Sequence, residues 1–267
     1  IPSGGGGIGM VSVASADGLS QAFLNLQKRA QRMFGSDAIL IEKQLHHAKH
    51  IEVQIMADVH GNMIHLFERE CSIQRRYQKV IEEAPAVYIR DNTRKKLHDL
   101  ALQVVKTMQY TNVGTVEFLV DHDENIYFLE INPRIQVEHG VTEEITNIDL
   151  VAEQINITSG HSLAIKQADV QIEGHAIEVR LYAEDPQTFF PSPGTIQQLD
   201  IPDKFYLRKE LGVEANNVIT PFYDPMFGKL IVKGSSRQET IGRLKEVLEE
   251  VMIEGIQTNV PILEQMI

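Results

Sequence analysis

The sequence has no tryptophan and, in 267 residues, a single cysteine, Cys71. One thiol cannot close an internal disulfide, which fits a reducing compartment and gives the expectation of a cytoplasmic protein. Cys71 itself reads as a small packed residue rather than a nucleophile. Cations are scarce beside acids: 25 Lys and Arg against 37 Asp and Glu leave a net charge of -12. A nucleic-acid partner is therefore not expected, because affinity for phosphate backbones comes from clustered cations. No uninterrupted apolar run is long enough to span a bilayer and no charged-then-apolar leader is recognisable, so a membrane partner is not expected either. What is present is 43% hydrophobic sequence, enough to bury the core of one large domain or two smaller ones. Ile1-Pro2-Ser3 runs at once into Gly4-Gly5-Gly6-Gly7-Ile8-Gly9-Met10 with no element before it, a pattern that predicts an amino-terminal truncation.

Periodicity supplies the elements. From Leu19, the positions Ala22, Phe23, Leu26, Ala30 and Met33 follow helical spacing, with Asp17 as a cap and Gly35 as a stop. Ile51, Val53 and Ile55 alternate with His50, Glu52 and Gln54, and a turn at Gly61-Asn62 leads to a second strand, Met63 to Phe67. A second helix is predicted from about Thr93 to Met108, with Leu97, Leu100, Ala101, Val104, Val105 and Met108 on one stripe. Strands at 115–120 and 126–131 flank the turn-rich Asp121 to Asn125. Strand and helix alternate too loosely for a parallel sheet. Past Gly160 the texture changes to strands at 176–182 and 230–232, then a helix whose start, Ser236-Arg237-Gln238-Glu239, has capping-box spacing and whose Ile241, Leu244, Leu248 and Val251 face inward.

Three groups of residues carry chemistry. The glycine run offers unobstructed backbone N–H groups that can wrap phosphate oxygens, although no Gly-Lys-Ser/Thr follows and a plain surface loop has the same composition. In a symmetric hairpin Glu117 sits opposite Glu130, with Asn132 on the same face. Directly opposed acids cost a sheet roughly 0.2–1 kcal/mol, which Mg²⁺ bound by carboxylate and amide oxygens would offset; a solvated acidic face is the alternative that spacing leaves open. Read as a strand, Pro133 to His139 places Arg134, Gln136 and Glu138 on one side, where Arg could hold an oxyanion while Glu accepts a proton. Residues 70–79, ending in Lys79, read as a polar and basic run able to meet an anion. His46, His47 and His50 lack partners at zinc-site spacing.

Together the strings GGGGIGM, HIEVQI, ECSIQRRYQKVIEEAP, VEFL, FLEINPRIQVEHGVTE, GHAIEVRLYAEDP and YDPMFGKLIV, in this order, closely resemble the biotin carboxylases, including those of acetyl-CoA, pyruvate, propionyl-CoA and methylcrotonyl-CoA carboxylases. RIQVEH is the specific part; the glycine run and acidic pair occur across ATP-grasp enzymes. The resemblance spans essentially the whole chain. It implies an α+β architecture: a partial ATP-grasp lid over 1–44, an antiparallel-sheet catalytic half over 45–160 and the biotin carboxylase carboxy-terminal domain over 161–267. It implies ATP, Mg²⁺ or Mn²⁺, bicarbonate and biotin as cofactors and substrates. Biotin carboxyl carrier protein, a carboxyltransferase and a second copy of the chain are the implied partners.

By the same resemblance Gly5 and Gly6 would cover the phosphates, while Glu42 and Lys43 in a hinge strand, His50, Gln74, Tyr77 and Leu119 would line the nucleotide pocket. Glu117, Glu130 and Asn132 would bind the metals. Arg134, Gln136 and Val137 would hold bicarbonate beside Lys79, Glu138 would be its general base and Arg180 would stabilise the biotin enolate. Departures are Tyr77 where many relatives carry His, Gly140 for a more usual Pro or Thr, and Ile8 at a commonly basic position. Relatives carry an ATP-binding Lys just before the position of Ile1 and a further domain before that, hence the expectation that this segment alone turns over little. Another ATP-grasp ligase such as a carbamoyl-phosphate synthetase, or a non-catalytic nucleotide-binding module, are the competing readings; neither needs the RIQVEH set.

Overall fold

The computed structural model describes Ile1 and residues 9–267; the glycine run with Gly5 and Gly6 lies outside the described residues. In chain order the elements are α1 (Ala16–Phe34), β1 (Lys49–Ala57), β2 (Met63–Arg75), β3 (Gln78–Ala84), α2 (Asp91–Met108), β4 (Asn112–Val120), β5 (Ile126–Asn132), α3 (His139–Thr146), α4 (Leu150–Thr158), β6 (His175–Tyr182), β7 (Gly194–Thr195), β8 (Gln198–Asp200), β9 (Leu207–Leu211), β10 (Val218–Ile219), β11 (Met226–Gly234), α5 (Arg237–Glu250), β12 (Met252–Glu254) and α6 (Val260–Met266). Eight strands form one antiparallel sheet in the order β5-β4-β1-β2-β3-β6-β11-β9. The ladder runs from β3 straight into β6, so the change of texture past Gly160 does not interrupt the sheet.

Strand alternation sorts the two faces. Ile51, Val53, Ile55, Val116, Phe118 and Val120 meet Leu97, Ala101 and Val105 of α2, and farther along the same face Ile177, Val179, Leu230 and Val232 meet Leu244, Val247 and Leu248 of α5. The helical stripes are narrower than their periodicity predicts, since Leu100 and Met108 at the margin of α2 stay exposed. The opposite face carries Glu52, Gln54, Thr115, Glu117, Arg69, Glu82 and Glu178 and is covered by α3 and α4, with Val141 and Ile145 of α3 packed on Ala84, Ala176 and Ile231. Alternation implies a wet polar face; the helices instead bury it.

Caps follow the local chemistry. Gly35 ends α1 at φ 71° with its N–H on Gln31 O, a conformation that suits glycine. The α1 start differs from expectation: Ser15 is the N-cap and Asp17 lies inside the first turn, where its negative charge complements the helix dipole. Of the α1 stripe only Ala30 is buried, and Leu19 and Met33 are exposed. Ser236 Oγ accepts from Glu239 N as expected for α5, whereas Glu239 reaches back to Ser235 and Val251 falls beyond the helix end. Asp58 fixes the β1–β2 turn by accepting from His60 N, Asn62 N and Leu163 N.

Candidate functional site

The β4–β5 hairpin brings Glu117 opposite Glu130, but not through a simple symmetric ladder. Phe118 faces Phe128, and the register then shifts by one residue on β5 before Glu117 meets Glu130 and Thr115 meets Asn132. The shift is what aims Glu130 and Asn132 at Glu117. Asn132 Nδ2 donates to Glu117 Oε1 at 3.0 Å and to Glu130 Oε1 at 3.2 Å. Glu130 is exposed and Glu117 nearly covered. Two carboxylates and an amide thus meet with solvent on one side, a set that fits Mg²⁺, which keeps several waters, once the Asn132 amide turns its Oδ1 from Arg134 toward the carboxylates.

Lys79, at the start of β3, projects into the centre. Its ammonium has three donors and three acceptors: Glu52, Glu117 Oε1 at 3.0 Å and Glu138 Oε1 at 2.6 Å. Burial would discharge it, but the Glu52 and Glu138 carboxylates push its pKa further up, so the charge stays. Glu138 gives its other oxygen to Arg180 Nη2 at 2.9 Å, so its carboxylate is gripped from both sides. His50 pairs with Glu117 Oε2 at 2.9 Å; burial pulls its pKa down, yet the Glu117 and Glu52 carboxylates raise it to about 9. Gln74 Nε2 lies 3.1 Å from His50 Nδ1, and Leu119 is the cross-strand neighbour of His50, so these three form one rim of the cluster.

Beneath it sits Arg69, completely buried and undetected by periodicity. Nε donates to Glu52 at 2.6 Å, Nη1 to Gln54 at 2.7 Å and Thr142 at 2.9 Å, and Nη2 to Thr115 at 3.2 Å and Gln136 at 3.0 Å. All five guanidinium N–H groups are satisfied. Gln136 passes the tether on, donating from Nε2 to Glu117 Oε1 at 2.7 Å. Lys229 of β11 holds the Val137 carbonyl.

Four sequence expectations need correction. Residues 133–138 are not a strand but a bend and turn leading into α3. Gln136 and Glu138 turn inward and are buried, whereas Arg134 is exposed, bonded through Nη2 to Asn132 Oδ1 at 3.3 Å, and does not touch Glu138. Glu42 and Lys43 lie in an irregular exposed stretch rather than a hinge strand, because no described strand runs alongside to pair with it; no hydrogen bond or ion pair joins either residue to the cluster among the described residues. Tyr77 stands at φ 65° in the β2–β3 turn, 61% exposed, without a polar link to the cluster among the described residues. Strand β2 runs on to Arg75 through the supposed charge run, where the half-buried Gln74 and Arg75 meet His50 and Glu184. Cys71 is buried with its thiol pKa pushed up by burial, as expected of a packed residue.

Glu52, Arg69, Glu82, Glu178 and Lys229 were missed. A signal was available: Ile51-Glu52-Val53, Val116-Glu117-Phe118 and Ile177-Glu178-Val179 repeat one acid between bulky apolar neighbours on three strands. Gly140, in the first turn of α3, lets that turn pack closely on β11: a Cβ there would collide with Ile231 Cδ1 and lie 3.5 Å from Glu178 Oε2. Gly140→Ala is expected to cost about 1–3 kcal/mol of stability, as overpacking does. Urea unfolding should register that loss, and the added change Ile231→Val should recover part of it; an unaltered midpoint for Gly140→Ala refutes the close fit.

Residues 2–166 match the model of the carbamoyl-phosphate synthase L chain ATP-binding domain, and residues 178–267 that of the biotin carboxylase C-terminal domain. Biotin carboxylase 2 of Bacillus subtilis is 53% identical over 98% of the chain, which covers 59% of that protein. The biotin carboxylase of Haemophilus influenzae is 43% identical over 98% of the chain and 58% of its own length. A crystal structure of biotin carboxylase from Campylobacter jejuni, in a β,γ-ATP complex, superposes with a TM-score of 0.95 at 40% identity, over 98% of this chain and 59% of that one. The chain thus spans a little under three-fifths of the length of these relatives and no more of the crystallised one. No helix among the described residues is long and apolar enough to cross a membrane.

Proposed function

Because the chain belongs to the biotin carboxylases, an ATP-grasp family, we propose that its cluster carries out the ATP- and bicarbonate-dependent carboxylation of biotin presented by a carrier protein. The observation that carries this reading is Glu138 held between Lys79 and Arg180, next to the paired carboxylates Glu117 and Glu130.

Glu138 takes the proton of bicarbonate, whose freed oxygen attacks the γ-phosphorus of ATP; ADP leaves and carboxyphosphate forms. Lys79 and Arg180 stand where negative charge gathers on the reacting oxygens, in a setting with little water to screen them. Arg134, exposed at the mouth beside Asn132, is placed to meet bicarbonate as it enters. A Mg²⁺ ion held by Glu117, Glu130 and Asn132 would neutralise phosphate charge. Carboxyphosphate then releases CO₂ and phosphate, and the biotin ureido nitrogen, its proton passed to phosphate, adds to CO₂ while Arg180 steadies the enolate oxygen. His50, Gln74 and Leu119 form the rim proposed for the nucleotide; Tyr77, Glu42 and Lys43 as nucleotide contacts, and Gly5 and Gly6, outside the described residues, as phosphate contacts, belong to the same proposal.

The division into 1–44, 45–160 and 161–267, a cytoplasmic setting, the carboxyltransferase partner and self-association belong to the same proposal. In a full-length biotin carboxylase carrying this sequence, Arg180→Ala should lower biotin carboxylation about 10²-fold or more, with bicarbonate-dependent ATP cleavage reduced less. Equal losses in the two assays would remove the separate role of Arg180 in carboxyl transfer to biotin and leave only its grip on Glu138. Absence of any bicarbonate-stimulated ATP cleavage by the unsubstituted enzyme would overturn the reading as a whole.

A further inference from the structure

A second pair of carboxylates lies under the cluster, and the reaction described above leaves it idle. Glu82 of β3 and Glu178 of β6 are direct cross-strand partners, and both are completely buried. Opposed acids destabilise a sheet even at a wet surface, and here water cannot screen them. Their hydrogen bonding is incomplete. Glu82 Oε1 accepts from Arg180 Nε at 2.6 Å, while Glu82 Oε2 and both oxygens of Glu178 find no hydrogen-bond donor among the described residues.

The charged and titratable groups facing the pair are Arg180 beside Glu178 on β6, Lys229 from β11, Lys79 on β3 and Glu138 above, with the Cys71 thiol from β2 and the Tyr182 phenol at the end of β6. The nearer cations are shared with other acceptors. Arg180 also serves Glu138, and Lys229, 3.3 Å from Glu178 Oε2, also serves the Val137 carbonyl and Glu210 at 3.1 Å. Lys79 is saturated by its three glutamates. The pair therefore lacks the positive charge that two buried carboxylates require.

We propose that Glu82 and Glu178 share one proton at neutral pH and, as positioning residues, hold Arg180 and Lys229 on the two sides of the turn that carries Glu138. The positioning part rests on the reading of Glu138 as the base; the shared proton does not. Burial pushes Glu82 up to about 7 against the pull of Arg180, and burial beside Glu82 pushes Glu178 well above the carboxylate range. The sign follows from linkage: a carboxyl with a raised folded pKa favours folding below its unfolded value, and that contribution is lost as pH rises through the folded one. Loss of the remaining proton, on Glu178 and at higher pH than the ionisation of Glu82, draws Arg180 from Glu138 and Lys229 from the Val137 carbonyl.

An infrared pH titration of the unsubstituted chain tests the shared proton without assaying activity. A carbonyl stretch of a protonated carboxyl should be present at neutral pH, fade as the solution becomes alkaline and be absent from Glu178→Gln. No such band at neutral pH, or the same band in both Glu82→Gln and Glu178→Gln, overturns the proposal. In a full-length biotin carboxylase carrying this sequence, Glu82→Gln should lower kcat for bicarbonate-dependent ATP cleavage roughly tenfold, equivalent to about one unit in an apparent pKa, with KM for ATP unchanged. Glu178→Gln should move the alkaline limb of the pH–rate profile upward. An unmoved limb alongside the expected infrared result refutes the positioning role alone. Absence of bicarbonate-dependent cleavage by the unsubstituted enzyme would overturn the reading of Glu138, with the infrared result still deciding the proton.

Discussion

Glu138→Gln is expected to reduce bicarbonate-dependent ATP cleavage by about 10²–10⁴-fold, the usual contribution of a positioned general base. The substitution is nearly isosteric and its amide oxygen can still accept from Lys79 or Arg180, while its NH₂ group loses the other cation. What disappears is the ability to take a proton. The KM for ATP should hardly move, because the proposed nucleotide rim of His50, Gln74 and Leu119 is separate from Glu138. Steady-state phosphate release with varied bicarbonate, in a full-length enzyme carrying this sequence, checks both statements. Retention of more than a tenth of kcat would remove Glu138 as the base.

The largest effect on stability is expected at Arg69. Replacing it with Met removes five hydrogen bonds and leaves Glu52 buried with one of its two close cations gone. Glu52 ionises well below the normal range: burial opposes its charge, and Arg69 and Lys79 more than offset that. Breaking such a buried pair from one side costs about 3–5 kcal/mol. Arg69→Lys should fail in the same direction, since three donors cannot replace a planar set of five. Chemical denaturation of the chain followed by circular dichroism measures the loss. A change within about 1 kcal/mol for Arg69→Met would show that the guanidinium is not what joins α3 to the sheet.

Most elements were legible because apolar and polar residues keep to separate faces, whether the polar face meets water, as on α2 and α5, or a buried partner, as on β1. The α2 stripe, the β1–β2 hairpin and the α5 cap all follow from such patterns. The site was legible in part. Glu117, Glu130 and Asn132 do converge, although the shift at Phe118 to Phe128 that aims them leaves no mark in the spacing. Glu52, Arg69 and Glu178 escaped notice because a polar residue at every second position looks the same whether it meets water or a buried partner, and α3 decides which. Arg134 was misplaced for a related reason: alternation was extended through Pro133, where the backbone bends.

The join between β3 and β6 also bears on how the chain comes into being. Glu82 and Arg180 are 98 residues apart in sequence yet bonded across neighbouring strands, and the two segments matched by different family models share that ladder. At about 5–20 residues per second on a ribosome, β3 would wait roughly 5–20 s for its neighbour to be made. Through that interval its edge, with Glu82, has no strand to pair with, and unpaired edges invite association with other chains. The buried acids of this ladder are a poor template for a stranger, since a foreign strand that failed to supply an Arg180 would leave Glu82 uncompensated. The charge pattern that serves the finished site would thus also guard the nascent one.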